Sequence, residues 1–114
     1  MKSTQDYLLD LLTHIERVEQ VAAAGEDQFR ASFIHQDSII RNYEIIGEIV
    51  KRLPDNLLAK APHIEWGQIR GFRDFLAHNY DKVDLDIVWS AVSDLPSLKA
   101  AVQTLLKSST DNTN

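Results

Sequence analysis

The 114 residues suit one domain and are too few for two. A hydrophobic content of 44% excludes a disordered or fibrous chain, and the lack of cysteine excludes disulfides, thiol catalysis and cysteine–zinc sites. A formal charge of −5 speaks against nucleic acid as the first partner to consider.

Every periodic signal in the chain is helical. Ser3 or Thr4 can cap a first helix in which Leu8, Leu11, Ile15, Val18 and Ala22 recur at three- and four-residue steps, and Gly25 ends it. A second helix is expected from near Asp27 to Leu53, stopped by Pro54. It carries two apolar stripes: Phe29, Phe33, Ile40, Tyr43 and Val50 on one, Ile39, Ile46 and Leu53 on the other. Two stripes make a wide apolar arc, which places this helix at the centre of a bundle or against a partner subunit. Gly47 in its interior costs about 1 kcal/mol relative to alanine, which points to a close helix crossing there.

Asp55 to Ala61 reads as a short helix closed by Pro62. Another helix spans about His63 to His78, with Trp66, Ile69, Phe72 and Leu76 facing the core. Asp84 or a neighbour caps the last helical region, which carries Leu85, Val88, Trp89 and Val92 and should kink or break at Pro96 before continuing to about Leu106. Residues 108–114 form a polar tail outside a single domain of residues 1–107. The fold expected is an all-α, up-and-down bundle of four to five helices with a kinked last helix. Met1–Asp6 does not lead into the apolar core of a signal peptide, and no stretch approaches the roughly 18 apolar residues of a membrane span. A soluble cytoplasmic protein is therefore expected.

The charge is unevenly distributed. Residues 41–82 hold seven Lys and Arg against six Asp and Glu, whereas both flanks are acidic. Any RNA site belongs in that middle third, and one segment of it carries chemistry: Arg70-Gly71-Phe72-Arg73-Asp74-Phe75-Leu76-Ala77-His78-Asn79-Tyr80. On a helix, Arg70, Arg73 and Ala77 share a face, and Asp74 lies four residues from both Arg70 and His78, able to pair with the one and orient the other. Asn79 tolerates the left-handed conformation that ends helices, which puts His78 in the last turn, where the helix dipole favours its protonated form by roughly 0.3–1 kcal/mol. An imidazole can move protons to and from a 2′-hydroxyl and a leaving oxygen, while a guanidinium meets charge building on phosphoryl oxygens. Together they are equipment for metal-free phosphodiester cleavage. By geometry alone the same residues also read as a helix cap and a surface ion pair.

These residues also carry a likeness. Arg73-x4-His78-x-Tyr80 resembles the motif of HepT-like HEPN ribonuclease toxins. The surroundings agree: Ile45-Ile46-Gly47-Glu48-Ile49-Val50-Lys51, Trp66, Val83-Asp84-Leu85-Asp86-Ile87-Val88-Trp89 and Leu95-Pro96-Ser97-Leu98. The likeness spans about residues 5–106, and chance would produce the three-residue motif only about 0.006 times in a chain of this composition.

The resemblance implies a HEPN-like bundle that dimerises, so that Arg73 and His78 from two copies form one composite site for cutting RNA. It further implies a type VII toxin–antitoxin system. In such a system a minimal nucleotidyltransferase antitoxin transfers AMP to Tyr80 and silences the toxin, the added phosphate competing for the same arginines. Arg70, Asp74 and Asn79 are supporting or RNA-binding candidates. Arg41, Lys51, Arg52 and Lys60 either widen a basic rim or are ordinary solvated charges. Glu44 and Glu48 receive no catalytic role. His14, His35 and His63 are too scattered to bind a metal, and neither metal nor other cofactor is expected. Two other functions remain open: a non-catalytic subunit that binds substrate for a nucleotidyltransferase, and a helical interaction module.

Overall fold

A computed structural model of the chain describes residues 2–79 and 82–111, with side chains as far as Ser108. Its first helix, α1 (Thr4–Ala22), begins with a reciprocal cap: the Asp6 backbone N–H donates to Ser3 Oγ at 3.1 Å and the Ser3 N–H donates to the Asp6 carboxylate at 3.2 Å. Leu8, Leu11, Ile15 and Val18 follow as one fully buried stripe. The chain then reverses at Gly25, whose φ of 95° suits glycine best, and enters α2 (Glu26–Ala31).

The helix expected to run unbroken from Asp27 to Leu53 is two helices. Ser32 is extended (φ −127°, ψ 116°) and caps the start of α3 (Phe33–Lys51), its Oγ accepting from the His35 backbone N–H at 3.4 Å. The Gln36 side-chain amide donates to the carbonyls of Phe29 and Arg30 at 3.0 and 3.1 Å, satisfying acceptors freed by the end of α2. The break separates two residues assigned to one stripe. Phe29 is 1% exposed and packs on Trp89 with ring centroids 5.2 Å apart, whereas Phe33 is 71% exposed.

Past Pro54, α4 (Asp55–Leu58) is a single turn. The next helix, α5 (Trp66–His78), starts three residues later than His63, after a turn in which the Ile64 N–H donates to Ala61 O. Trp66 anchors its first turn, the indole N–H donating to the carbonyls of both Leu58 and Ala61 at 3.1 Å. Asp84 caps α6 (Leu85–Val92) as expected, its carboxylate accepting from the Asp86 N–H at 2.8 Å. The chain breaks at Ser93 and Asp94, and Pro96 falls in the first turn of α7 (Leu95–Asp111), where the missing N–H has no intrahelical partner to lose. This last helix passes Leu106 and continues to Asp111, so part of the polar tail is helical.

The described residues thus form an all-α bundle of four longer helices, with α2, α4 and α6 as short pieces between them and no strand. In the packing, α1 lies between α3 and α7, while α3 lies between α1 and α5 and also touches α2 and α6. Most of the wide apolar arc is therefore used within the chain, while Phe33 and Ile34 at the start of α3 stay exposed. In contrast, α5 and α7 barely touch. Between them opens a groove of about 750 Å³, lined among others by Tyr43, Ile46, Phe72, Phe75 and Ile87.

The Arg73–His78 segment and its ion-pair network

The site is built where α5 crosses α3. A Cβ added to Gly47 would lie 2.2 Å from Arg73 Cβ and 3.2 Å from the carbonyl oxygen of Ile69, so only glycine lets the two helices come this close. The close crossing expected from Gly47 is present, and its consequence is specific. The stem of Arg73 rests on α3, and its guanidinium is brought beside side chains of that helix.

Arg73 is held between two carboxylates. Its Nε lies 3.1 Å from Glu48 Oε2, and its Nη1 donates to Asp74 Oδ1 at 3.2 Å. The pair extends at both ends: Arg52 Nη2 donates to Glu48 Oε1 at 3.2 Å, and Lys51 Nζ donates to Asp74 Oδ1 at 2.6 Å. Three cations and two anions form one chain of contacts, so the crossing keeps a local excess of one positive charge on a protein that is acidic as a whole. The Lys51 hydrogen bond foremost, with Arg73 behind it, holds the Asp74 carboxyl below its ordinary range. Arg73 Nη2 carries no partner among the described residues and is the part of the fork left for another acceptor. A shallow pocket of about 150 Å³ adjoins it, lined by Arg41, Glu44, Ile45, Glu48, Ile49 and Arg73.

His78 ends the same helix and is exposed. Its Nδ1 lies 2.8 Å from the backbone carbonyl of Asp74. A carbonyl can only accept, so Nδ1 carries the proton, and Nε2 is the nitrogen that can take up or give one. Asp74 therefore orients His78 through its main chain and not through its carboxylate. Nor does that carboxylate pair with Arg70, which is half-buried and has no ion-pair partner among the described residues. Helix spacing puts Asp74 within reach of both, but Lys51 and Arg73 take its oxygens instead.

Asn79 does cap α5, though by another route than expected. Its φ is −130°, outside the left-handed region, and its side-chain amide donates to Phe75 O at 2.9 Å. Tyr80 lies outside the described residues. The remaining rim candidates behave as paired surface charges or reach other helices: Arg41 is 3.6 Å from Glu44, and Lys60 Nζ donates to Ser108 Oγ at 3.5 Å. Sequence reasoning missed Glu48 and Lys51 as partners of this site. The signal that could have found them was their position, one and four residues after the glycine that marks the crossing.

Elsewhere, Tyr43 packs edge-on against Phe72 with centroids 5.5 Å apart, and its buried hydroxyl has no hydrogen-bond partner among the described residues. Burial pushes this phenol above its ordinary range, with Asp94 adding to the effect. Among the described residues, no group of three or more His, Asp and Glu side chains is gathered to hold a metal ion, and no helix is long and apolar enough to cross a membrane.

Comparison with known proteins agrees with the family resemblance that this segment carries. The family model described as "Ribonuclease HepT-like" matches residues 11–105. The chain is 37% identical over 109 residues to the "Probable ribonuclease HepT" of Thermococcus cleftensis, covering 93% of this chain and 98% of that protein. It is 32% identical over 109 residues to a protein of Caldanaerobacter subterraneus provisionally named an RNase, covering 94% and 97%. A Methanocaldococcus jannaschii protein, named for a gamma-glutamylcyclotransferase together with a provisional RNase, is 36% identical over 115 residues; the chain spans only 52% of its length. No solved structure matches the chain. The chain belongs to the HepT-like ribonuclease family.

Proposed function

We propose that this protein is the toxin of a prokaryotic type VII toxin–antitoxin pair, a metal-independent endoribonuclease of the cytoplasm that cuts tRNA or mRNA at a site shared by two copies of the chain. The observation that carries the reading is the pairing on α5 of a braced guanidinium with an imidazole of defined tautomer. Arg73 is held at the Gly47 crossing with Nη2 unpartnered among the described residues, and His78 has Nδ1 committed to Asp74 O with Nε2 left for proton transfer.

In this reading Nε2 of one His78 removes the proton of a 2′-hydroxyl as its oxygen attacks the adjacent phosphorus. The protonated His78 of the second copy gives a proton to the departing 5′-oxygen. Arg73 meets the charge that grows on the phosphoryl oxygens. These steps draw on imidazole and guanidinium alone. Arg70, with no carboxylate partner among the described residues, and Asn79, which shapes the end of α5, support the bound RNA. A cognate minimal nucleotidyltransferase silences the site by transferring AMP from ATP to the Tyr80 hydroxyl, with pyrophosphate leaving; the adduct adds bulk and a phosphate that competes for Arg73 and repels RNA.

One observation favours a different reading. Two of the three nitrogens of Arg73 already face carboxylates, as they would in a non-catalytic subunit that presents substrate to a nucleotidyltransferase. Growth separates the two. Expressed alone, the chain should arrest growth, and His78→Ala should relieve the arrest; equal arrest by the variant would remove the catalytic role of His78. Tyr80→Phe should remain toxic beside the nucleotidyltransferase, and intact mass of the wild type from that strain should rise by one or more AMP groups. An unshifted mass would remove the modification and leave the nuclease reading standing.

A further inference from the structure

We infer that Glu48, on α3, is a positioning residue for Arg73, on α5; the inference builds on the nuclease reading above. Four observations carry it. First, Gly47 leaves the Arg73 stem no lateral room: a Cβ there would lie 2.2 Å from Arg73 Cβ and 2.9 Å from Arg73 Cγ. The base of the side chain is thereby settled, and only the far end of the guanidinium can swing. Second, the Glu48 carboxylate stands 3.1 Å from Nε, on the opposite helix, so it holds the guanidinium from outside α5. Third, Glu48 is itself braced, its other oxygen accepting from Arg52 at 3.2 Å. Fourth, Asp74 takes Nη1, so that a single nitrogen, Nη2, is left without a partner among the described residues. A planar fork hydrogen-bonded through Nη1 and ion-paired beside Nε has its direction narrowed before any substrate arrives.

Glu48 makes a second, opposing contribution. A carboxylate next to a phosphate-binding cation repels the polyanion it serves. A residue that merely stabilised the bundle would have no such effect. Removing its charge should therefore lower turnover and leave RNA binding equal or tighter, a combination that loss of folding does not produce.

The experiment compares wild type, Glu48→Gln and Glu48→Asp in steady-state cleavage of a short RNA, with the Arg73 Nε–Hε resonance followed by NMR in the same samples. Glu48→Gln keeps the volume and removes the charge. Its kcat should fall by about 10- to 100-fold, with KM unchanged or lower, and the Arg73 resonance should move toward that of a free arginine. Glu48→Asp retains the charge, so it should recover part of the lost kcat and shift the resonance less. A wild-type resonance in Glu48→Gln overturns the inference, as does a raised KM with unchanged kcat. If the wild type cuts no RNA, the nuclease reading fails by that result alone, and the resonance still decides whether Glu48 holds Arg73.

Discussion

Gly47 and Gly71 lie in helix interiors, and their surroundings assign them opposite roles. At Gly47 an added methyl would drive into Arg73 Cβ at 2.2 Å and press on Ile69 O at 3.2 Å, while at Gly71 nothing lies within 4 Å of the same methyl. Gly47→Ala should therefore cost about 1–3 kcal/mol of stability through overpacking and should spread the crossing that carries Arg73. Gly71→Ala should instead stabilise the fold by about 0.5–1 kcal/mol through helix propensity. Urea denaturation of the two variants beside the wild type checks this, and equal effects of one sign would contradict the crossing. What was legible at this scale follows the same division. Arg73, His78 and Asn79 could be located on one helix because their spacing is local. The partners of Asp74 could not: helix spacing says which residues are within reach, but Lys51 arrives from α3 and outcompetes both Arg70 and the His78 ring. Glu48 was passed over for the same reason: its place next to Gly47 marks it as near the crossing, but not which residue of α5 it faces.

Helix starts and stops were read most accurately where the chain carries an unambiguous breaker or cap. Ser3, Pro54, Asp84 and Pro96 all act close to where the sequence placed them. The failure at Ser32 is instructive because the apolar pattern continues through it: Phe29 and Phe33 are four residues apart and imitate one stripe. The competing signal was weaker, a serine able to cap the His35 N–H and a glutamine four residues on that closes the preceding helix. Breaking there frees α2 to place Phe29 on Trp89 and Arg30 against Asp86, which ties α2 to α6. Ser32→Ala should lose the cap and cost about 0.5–2 kcal/mol, read as a lower thermal midpoint with an unchanged far-UV spectrum. A midpoint equal to that of the wild type would mean that the packing of Phe29, and not the cap, sets the break.

For the molecule as a whole, bulk charge and local charge give opposite readings, and the fold shows where the local charges gather. A net charge of −5 describes the surface in sum, while the α3–α5 crossing gathers Arg52, Arg73 and Lys51 against Glu48 and Asp74. The all-α bundle was legible from periodicity, and the family from the Arg73–His78–Tyr80 pattern with its flanking helices. The double stripe on α3 was ambiguous in sequence because a central helix and a shared helix look alike; packing on α1 and α5 accounts for most of it, and Phe33 stays exposed. The central claim is that an arginine braced by α3 and a histidine at the end of α5 cut RNA by proton transfer and charge stabilisation alone. Its most direct test is incubation of purified protein with RNA in excess chelator, comparing wild type, Arg73→Ala and His78→Ala. The wild type should cleave, leaving 2′,3′-cyclic phosphate ends, and both variants should be inactive. Cleavage that stops with the chelator, or that persists unchanged in His78→Ala, would contradict the account.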